Sequence, residues 1–322
     1  MKVVEDNTIT GIYKKLLSLI LENGIEVSPR GLMTKEIHPA CAVLTLPCNN
    51  IVISEARAIN PLFMIDEFAW IFNNMNDVEY ISRFNKAMKN FSDDGITMHG
   101  AYGRRLYDYN GTNQIEEAFK KLNENKDTRQ AVLLIFDPSK DYKPTKDVPC
   151  NNLLKFTVRN NQLDLSVYVR SQDMILGFPY DVYHWTSFQQ LMATILNLKI
   201  GYYYHIMDSA HIYQKDLNLA REITDEECND ICSNDIPIID YRNVINTPYS
   251  ITAFAQCLLI AGIDFHSSIE MMKNGMCEYI KLIAGMYHHH YKIDMCESCD
   301  SSNNLFITLY HYYLKKRRTR KS

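Results

Sequence analysis

Long apolar segments are missing from this chain of 322 residues. No run approaches the ~20 apolar residues that a bilayer-spanning helix requires, and residues 1–7 lack the apolar core of a signal peptide. The nine cysteines are scattered without a dense framework, which is typical of reduced thiols rather than of a disulfide scaffold. We therefore expect a cytoplasmic protein with no membrane segment.

An excess of positive charge is missing as well. The formal net charge is −4 and the isoelectric point is about 6.2, which argues against a surface that coats nucleic acid. Hydrophobic residues make up 46% and charged residues 22%, as in ordinary globular proteins that bury a real core. The length predicts one large domain, or one domain with an extension.

Apolar periodicity predicts both helices and strands. Helical spacing occurs over residues 9–23, about 61–75, 114–124 and 182–197. Short apolar or alternating runs predict strands over 43–52, broken near Pro47, and over 131–136, 153–159, 163–170 and 201–207. Two of these strands flank Asn160-Asn161, which suits a hairpin turn because asparagine tolerates positive φ. After residue 225 an acidic, Asn-rich stretch precedes helical patterns at 250–262 and 267–286 and a basic tail.

One thiol stands in an unusual setting. Cys150 follows Pro149 and precedes the polar pair Asn151-Asn152, so it plausibly faces a polar pocket, although a lone cysteine is more often a small buried hydrophobe. A thiolate can attack C6 of a pyrimidine, and that attack makes C5 nucleophilic. The thiolate needs a nearby cation, for which Arg170 is a candidate.

Arg170-Ser171 offers a planar guanidinium beside a hydroxyl, which suits a phosphate dianion. Taken alone, a surface arginine at a strand end explains the same residues. Two further arginines are candidates of the same kind: Arg30, in Ser28-Pro29-Arg30-Gly31, and Arg129, in Asp127-Thr128-Arg129-Gln130.

Several motifs occur in an order that resembles thymidylate synthases. The core set is Pro149-Cys150, Arg170-Ser171-x-Asp173, Leu176-Gly177-x-Pro179-Tyr180 and Ala210-His211-Ile212-Tyr213. Three further segments fit the same family: Glu67-x-x-Trp70, Gly100-Ala101-Tyr102-Gly103 and Asp127-Thr128-Arg129. The resemblance spans roughly residues 9–217. It implies an α/β fold of the α+β kind, a large mixed or antiparallel sheet with flanking helices, and a homodimer joined through the sheets. We expect a catalytic domain over 1–225 and a helical extension with a basic tail over 226–322.

The resemblance also implies site roles. Cys150 would be the nucleophile, Glu67 would organise water and proton transfer at the base, and Tyr102 would belong to the catalytic group. Asp181 would belong both to the catalytic group and to the substrate-binding set. That set would further comprise Asn151, together with Arg30, Arg170 and Ser171 on the phosphate, Arg129 from the partner subunit, and His211 and Tyr213 on the sugar. The folate cosubstrate, 5,10-methylenetetrahydrofolate, would contact Asp173, Gly177 and Trp70. Individually, His211 and Trp70 could be core residues.

Two departures from the family pattern concern the base. Asp181 stands where thymidylate synthases carry asparagine, and Asn151 stands where a histidine usually follows the cysteine. Uracil presents an N3–H donor and an O4 acceptor, whereas cytosine presents an N3 acceptor and an N4 amino donor. A protonated aspartate can donate to N3 and accept from N4, and an ionised one can accept from N4 or from a protonated N3. Asp181 therefore favours cytosine, as in the deoxycytidylate and cytidylate hydroxymethylase branch.

Other departures concern the end of the reaction. The chain has two tryptophans, Trp70 and Trp185, and none in 76–98, where the family's cofactor tryptophan would lie. It ends in a basic rather than an apolar segment. A wetter site would let water add to the methylene group, so that a hydroxymethyl product forms in place of a methyl product.

A metal site is a weaker alternative. His288-His289-His290 and Cys296-x-x-Cys299 have possible zinc ligands, but a single Cys-x-x-Cys has no second pair at suitable spacing. We expect no metal and predict a C5-hydroxymethyltransferase acting on the pyrimidine nucleotides dCMP or CMP. The alternatives are a thymidylate synthase acting on dUMP and a catalytically silent nucleotide- or RNA-binding paralogue.

Overall fold

The computed structural model describes residues 1–83, 85–227 and 312–316. Up to residue 227 its α-helices are α1 to α8: Ile9–Asn23, Pro61–Phe72, Val78–Ile81, Tyr102–Tyr107, Gln114–Glu124, Pro138–Asp141, Phe178–Ile195 and Leu217–Asp225. Residues 312–316 are helical as well. The strands are β1 to β10: Lys2–Asp6, Ile25–Val27, Thr34–Ile37, Ala40–Leu44, Val132–Leu134, Asn151–Arg159, Gln162–Val169, Gln172–Asp173, Lys199–Met207 and Ala210–Tyr213. The helical patterns predicted after residue 249, the basic tail beyond residue 316 and the His/Cys cluster at 288–299 lie outside the described residues.

Two sheets organise the chain. The larger sheet has six strands in the order β1-β4-β9-β7-β6-β5, and the smaller has four in the order β2-β3-β10-β8. The large sheet is mixed, because β1–β4 and β7–β9 are parallel pairs while β4–β9, β6–β7 and β5–β6 are antiparallel. This architecture confirms the predicted fold class.

Alternation along the strands gives the large sheet one buried face. On β7 the side chains of Leu163, Leu165, Val167 and Val169 are at most 1% exposed, while residues between them keep contact with solvent. Helices cover the inner face, and α7 packs on β7 and β9. The core therefore lies between this sheet and its helices, as the period-2 pattern requires.

Local sequence explains where the site-bearing elements start. Asn160 and Asn161 have φ of 51° and 60°, so the β6–β7 connection is the tight hairpin that the Asn pair predicts. Asn60 caps α2, because its side-chain oxygen accepts from the backbone N–H groups of Leu62 and Phe63. Helix α7 starts at Phe178, four residues before the predicted start, because Pro179 is well tolerated in a first helical turn.

The predicted strand over 43–52 is only partly correct. Strand β4 covers Ala40–Leu44, and the residues from Thr45 to the cap of α2 are irregular. Pro47 lacks a backbone N–H donor, so pairing cannot continue through it. Among the described residues, no helix combines the length and the hydropathy that a membrane crossing would need.

Candidate active site

The β6–β7 hairpin places the thiol beside the guanidinium. Cys150 directly precedes β6, and its carbonyl accepts from the backbone N–H of Arg170, which follows β7, at 3.0 Å. The Arg170 side chain is held by backbone carbonyls: Nε donates to Pro149 at 2.9 Å and Nη2 donates to Val148 at 2.8 Å. Nη2 also lies 3.9 Å from Cys150 Sγ. The predicted cation is therefore fixed next to the nucleophile.

Burial dominates the acidity of the thiol. Desolvation raises the pKa of Cys150 to about 11, although the positive charge of Arg170 acts in the opposite direction. Arg30 also lowers this pKa to a smaller extent, whereas Asp181 and Asp147 raise it. The free site therefore holds a protonated thiol at neutral pH, and addition to a base must move that proton elsewhere.

Asp181 lies in the first turn of α7 and points at the start of β6. Its Oδ1 accepts from Asn151 Nδ2 at 3.2 Å, and its Oδ2 accepts from Gln172 Nε2 at 3.0 Å. Desolvation raises the pKa of Asp181 to about 6, while the two amide donors lower it. This carboxyl can change protonation state near neutral pH and offers acceptors to a ligand.

Glu67 projects from α2 into the same region. Desolvation, followed by the charge of Asp181, raises its pKa to about 8. Its Oε2 lies 3.7 Å from Nε2 of His184, an imidazole whose pKa burial lowers to about 4. At neutral pH Glu67 is therefore protonated beside an ionised Asp181. Two carboxyls whose pKa values are pushed apart form an acid–base pair.

Tyr102 completes this end of the site at the start of α4. Its ring packs on Trp185 with centroids 5.7 Å apart. Desolvation and the charges of Asp181 and Cys150 raise its pKa, so the phenol remains a proton donor. The half-buried side chain of Asp147 lies nearby and accepts from the backbone N–H of Gly100 at 2.7 Å.

The small sheet carries the residues that were predicted to bind the sugar and the folate. Strands β8 and β10 are parallel and set Asp173 opposite His211. The His211 and Tyr213 rings meet edge to face with centroids 5.3 Å apart. Asp173 Oδ1 accepts from the backbone N–H groups of Ile175 and Leu176 at 2.8 and 2.9 Å, which shapes the turn that leads to Gly177.

The remaining predicted residues occupy three different settings. Arg30 lies in an exposed turn with φ of 56° and is close enough to affect the acidity of Cys150 and His211. Ser171 is half-buried beside Arg170, whereas Arg129 is exposed in the loop before β5 and makes no contact with the site among the described residues. Trp70 is a core residue, 4% exposed, and its indole N–H donates to the Asp77 carbonyl.

Sequence reasoning missed two residues that touch the site. Gln172 lies inside the Arg-Ser-x-Asp motif, and its amide reaches Asp181. His205 lies on β9, fully buried, and its Nε2 is 2.7 Å from Gln172 Oε1. The only signal for His205 was its position in the alternation of buried residues Tyr203, His205 and Met207, which predicts a core residue. Among the described residues, no group of three or more His, Cys, Asp or Glu side chains could hold a metal ion.

A thiol beside a guanidinium, with two carboxyls of separated pKa, defines a site for covalent catalysis on a polar ring. The sequence profile described as "Thymidylate synthase" matches residues 11–252. The chain belongs to the thymidylate synthase family. The match continues past residue 225, and the predicted domain boundary there stays a prediction.

Three phage proteins named "Deoxyuridylate hydroxymethyltransferase" are similar to this chain. The protein of Bacillus phage SP01 is 38% identical over 220 residues, covering 64% of this chain and 57% of the relative. That of Pseudomonas phage M6 is 29% identical over 253 residues, covering 77% and 72%. That of Delftia phage PhiW-14 is 31% identical over 184 residues, covering 53% and 51%. The chain thus spans between about half and three quarters of the length of these relatives.

Proposed function

We propose that this protein transfers a hydroxymethyl group to C5 of a cytosine nucleotide, dCMP or CMP, with 5,10-methylenetetrahydrofolate as the cosubstrate. The observation that carries the base assignment is the carboxyl of Asp181, fixed by two amide donors at the edge of the site. The names of the three phage relatives support hydroxymethyl transfer in preference to methyl transfer.

The first step is addition of Cys150 to the base. The Sγ–C6 bond forms, the C5=C6 electron pair moves to C4=C5, and the C4=N3 pair moves onto N3, which takes a proton. In balance, the thiol proton ends on N3. The adduct of cytosine then presents N3–H and the N4 amino group, two donors, to the acceptor oxygens of Asp181. Interactions that strengthen as the adduct forms accelerate the step.

Uracil is the second candidate base, because the phage relatives are named for deoxyuridylate. Addition to uracil moves the electron pair to O4, which becomes an acceptor with negative charge. An ionised Asp181 would repel O4, so this base requires Asp181 to be protonated in the adduct. The pKa of about 6 makes that state the minor one at neutral pH.

The part of the site near β8 fits a pterin. Asp173 is electrostatically coupled to Arg57 and Asp216, and Asp216 Oδ2 is buried without a hydrogen-bond partner among the described residues. The N–H groups of a pterin ring are suitable partners for such oxygens. The folate would supply the one-carbon unit, and Glu67 would supply a proton when that unit leaves the folate. Roles of Gly177 and Trp70 toward the folate remain part of this proposal.

We also propose a homodimer joined through the outer face of the large sheet. Apolar side chains are exposed there on three strands: Val132, Leu134, Tyr168 and Tyr202, between 39% and 46%. Strand pairing aligns Leu134 with Tyr168 through Leu153, and Tyr202 lies further along β9 on the same face. A patch of this kind marks an association surface, and the exposed Arg129 lies at the start of β5, where a partner's phosphate site could receive it.

One assay tests the function and the base together. The protein is incubated with methylenetetrahydrofolate and each of CMP, dCMP, UMP and dUMP, and the product masses and the ultraviolet signal of dihydrofolate are followed. We expect hydroxymethyl products on a cytosine nucleotide with no dihydrofolate, because hydroxymethyl transfer leaves tetrahydrofolate unoxidised. Stoichiometric dihydrofolate would overturn hydroxymethyl transfer, and a preference for dUMP would overturn the cytosine assignment.

A further inference from the structure

One oxygen of Asp181 ends a buried chain of hydrogen bonds, here called the strand arm and made of Gln172, His205 and Tyr203. Gln172 Nε2 donates to Asp181, and Gln172 Oε1 lies 2.7 Å from His205 Nε2. Because an amide oxygen only accepts, His205 Nε2 carries the proton. Burial lowers the pKa of His205 to about 3, so the ring is neutral and Nδ1 accepts from the Tyr203 hydroxyl at 2.7 Å.

The other oxygen of Asp181 ends a shorter chain, here called the helix arm and made of Asn151 and Trp185. The Trp185 indole N–H donates to Asn151 Oδ1 at 3.2 Å. An indole nitrogen can only donate, so the amide oxygen of Asn151 must face it. The amide nitrogen then faces Asp181 and donates to Oδ1.

Both arms are directional and dry. The five side chains of the two arms are at most 1% exposed: Gln172, His205, Tyr203, Asn151 and Trp185. Reversing either amide would bring two acceptors or two donors face to face inside the core, at the cost of buried groups without partners. Each arm therefore presents a donor to Asp181.

We infer that Gln172 and Asn151, each aligned by the side chains behind it, are positioning residues that favour ionised Asp181 and thereby select cytosine over uracil. This inference rests on the proposed function. It concerns how the base is chosen and adds residues that do not themselves contact the reacting atoms.

The proton balance of the two bases carries the argument. Addition of the thiol to cytosine places its proton on N3 and leaves Asp181 ionised. Addition to uracil places negative charge on O4, so the thiol proton must move to the carboxylate of Asp181, which then donates a hydrogen bond to O4. Donors that stabilise the carboxylate lower the energy of the first adduct relative to the second.

Around Asp181, the two amides are the groups that stabilise its ionised form. The other titratable groups whose charge interacts with Asp181 are Glu67 from α2, Tyr102 from α4, Cys150 ahead of β6 and Tyr203 from β9. His205 reaches Asp181 only through Gln172. These groups are acids or, for His205, a neutral ring, so none brings positive charge. Burial raises the pKa of Asp181, and hydrogen bonds from Gln172 and Asn151 are the effects that lower it.

The test removes one donor from each end of the strand arm. Gln172→Met keeps a similar length without the amide, and Tyr203→Phe removes only the hydroxyl that donates to His205 Nδ1 at the far end of the arm. Tyr204→Phe, on the neighbouring position of β9, is the matched control. For each variant, kcat/KM is measured on the cytosine and the uracil nucleotide across pH.

We expect Gln172→Met to shift the cytosine-to-uracil ratio of kcat/KM toward uracil by about ten-fold, and Tyr203→Phe to shift it about two- to three-fold. Activity on cytosine needs ionised Asp181, whose oxygens accept from N3–H and the N4 amino group of the adduct. This activity should therefore fall as the pH drops below the pKa of Asp181. Loss of a donor raises this pKa, and the acid limb near pH 6 should move to higher pH in both variants. Tyr204→Phe should change neither quantity.

The outcomes separate the two proposals. An equal loss on both bases with an unmoved acid limb would show a purely structural role for the arm and overturn the inference. If Gln172→Met does not fold, Tyr203→Phe decides by the same two readouts. A wild type that prefers uracil overturns the cytosine assignment alone, because the arm is still judged by the change in ratio.

Discussion

The cations and the carboxyls of this site differ in how they are held. On the side that we propose binds the phosphate, Arg30 lies in an exposed turn, and Arg170 is tied to backbone carbonyls at the end of a hairpin. On the base side, Asp181 and Glu67 lie in low-dielectric surroundings that raise both pKa values, and Asp181 is backed by buried amides.

The difference agrees with what each side would recognise under the proposed function. A phosphate is common to all nucleotides and is bound by charge, which tolerates solvent and small displacements. A base edge differs between cytosine and uracil only in the direction of hydrogen bonds, so its partner needs a fixed polarity. Changes on the phosphate side should therefore affect both bases alike, and changes on the base side should alter selectivity.

The largest effect should come from the nucleophile, which lies between the two sides. Cys150→Ala should lower turnover by at least ~10³-fold, because no other described side chain is placed to attack C6. Nucleotide binding should persist, because the phosphate and base contacts come from other residues. Turnover is measured by product mass and binding by calorimetry, and exchange of the C5 proton should disappear as well.

A second thiol provides the control for that variant. Cys48 is a free, half-buried cysteine in the irregular segment after β4. Cys48→Ala should leave turnover and C5 proton exchange intact. Substantial turnover in Cys150→Ala would remove the covalent mechanism.

Glu67→Gln should separate the stability of the base side from its activity. The pKa of Glu67 is about 8 in the folded protein against an ordinary value of 4.5, so folding binds a proton between these values. A raised pKa contributes stability that is present at low pH and lost as pH rises toward 8. The unfolding free energy of Glu67→Gln relative to wild type should thus rise from pH 5 to pH 8 by about 2–4 kcal/mol. The activity of the variant should fall ~10²–10⁴-fold.

An exposed glutamate supplies the comparison for this titration. Glu117 pairs with Lys120 on α5 and is 50% exposed. Glu117→Gln should give an unfolding free energy that runs parallel to wild type across the same pH range. If Glu67→Gln also ran parallel, the raised pKa and the acid–base pairing with Asp181 would be wrong.

Asp181→Asn tests the base side directly. An amide in place of the carboxyl matches uracil with one donor and one acceptor, and it faces cytosine with a mismatch that costs about 1–3 kcal/mol. We expect the cytosine-to-uracil ratio of kcat/KM to fall by roughly ten- to a hundred-fold. An unchanged ratio would remove Asp181 as the selector.

The phosphate side gives the matching variant. Arg170→Leu removes a charged donor and should lower kcat/KM on both bases by about ten- to a hundred-fold. The ratio between the bases should stay the same. A ratio that moved as far as in Asp181→Asn would contradict the division of the site into two sides.

The sequence predicted the parts of the site that motifs encode and missed those that tertiary packing supplies. The proximity of Cys150 and Arg170 could be predicted from the sequence, because Asn160-Asn161 marks the hairpin that pairs their strands. His205 could not, because a buried position on an aromatic strand predicts packing and gives no hydrogen-bond partner. The start of α7 was also misplaced, since a Gly-x-Pro turn resembles a loop until the helix that follows is known.

The smallest effect should come from Gly177, which caps α7 beside the strand arm. A Cβ there would lie 2.9 Å from Gln172 Nε2, whereas Asp181 Oδ2 at 3.6 Å would be an ordinary contact. Its φ of −89° suits alanine, so the backbone would not be strained. Gly177→Ala should therefore displace the Gln172 amide and shift the cytosine-to-uracil ratio by about two- to five-fold toward uracil, with little change in Tm.

Gly111, at φ of 86° with nothing within 4 Å of its Cβ position, is the opposite case. Gly111→Ala should lower the stability by about 1 kcal/mol through backbone strain and leave the ratio unchanged. Equal ratios in the two variants would mean that the contact between Gln172 and Asp181 does not set the choice of base.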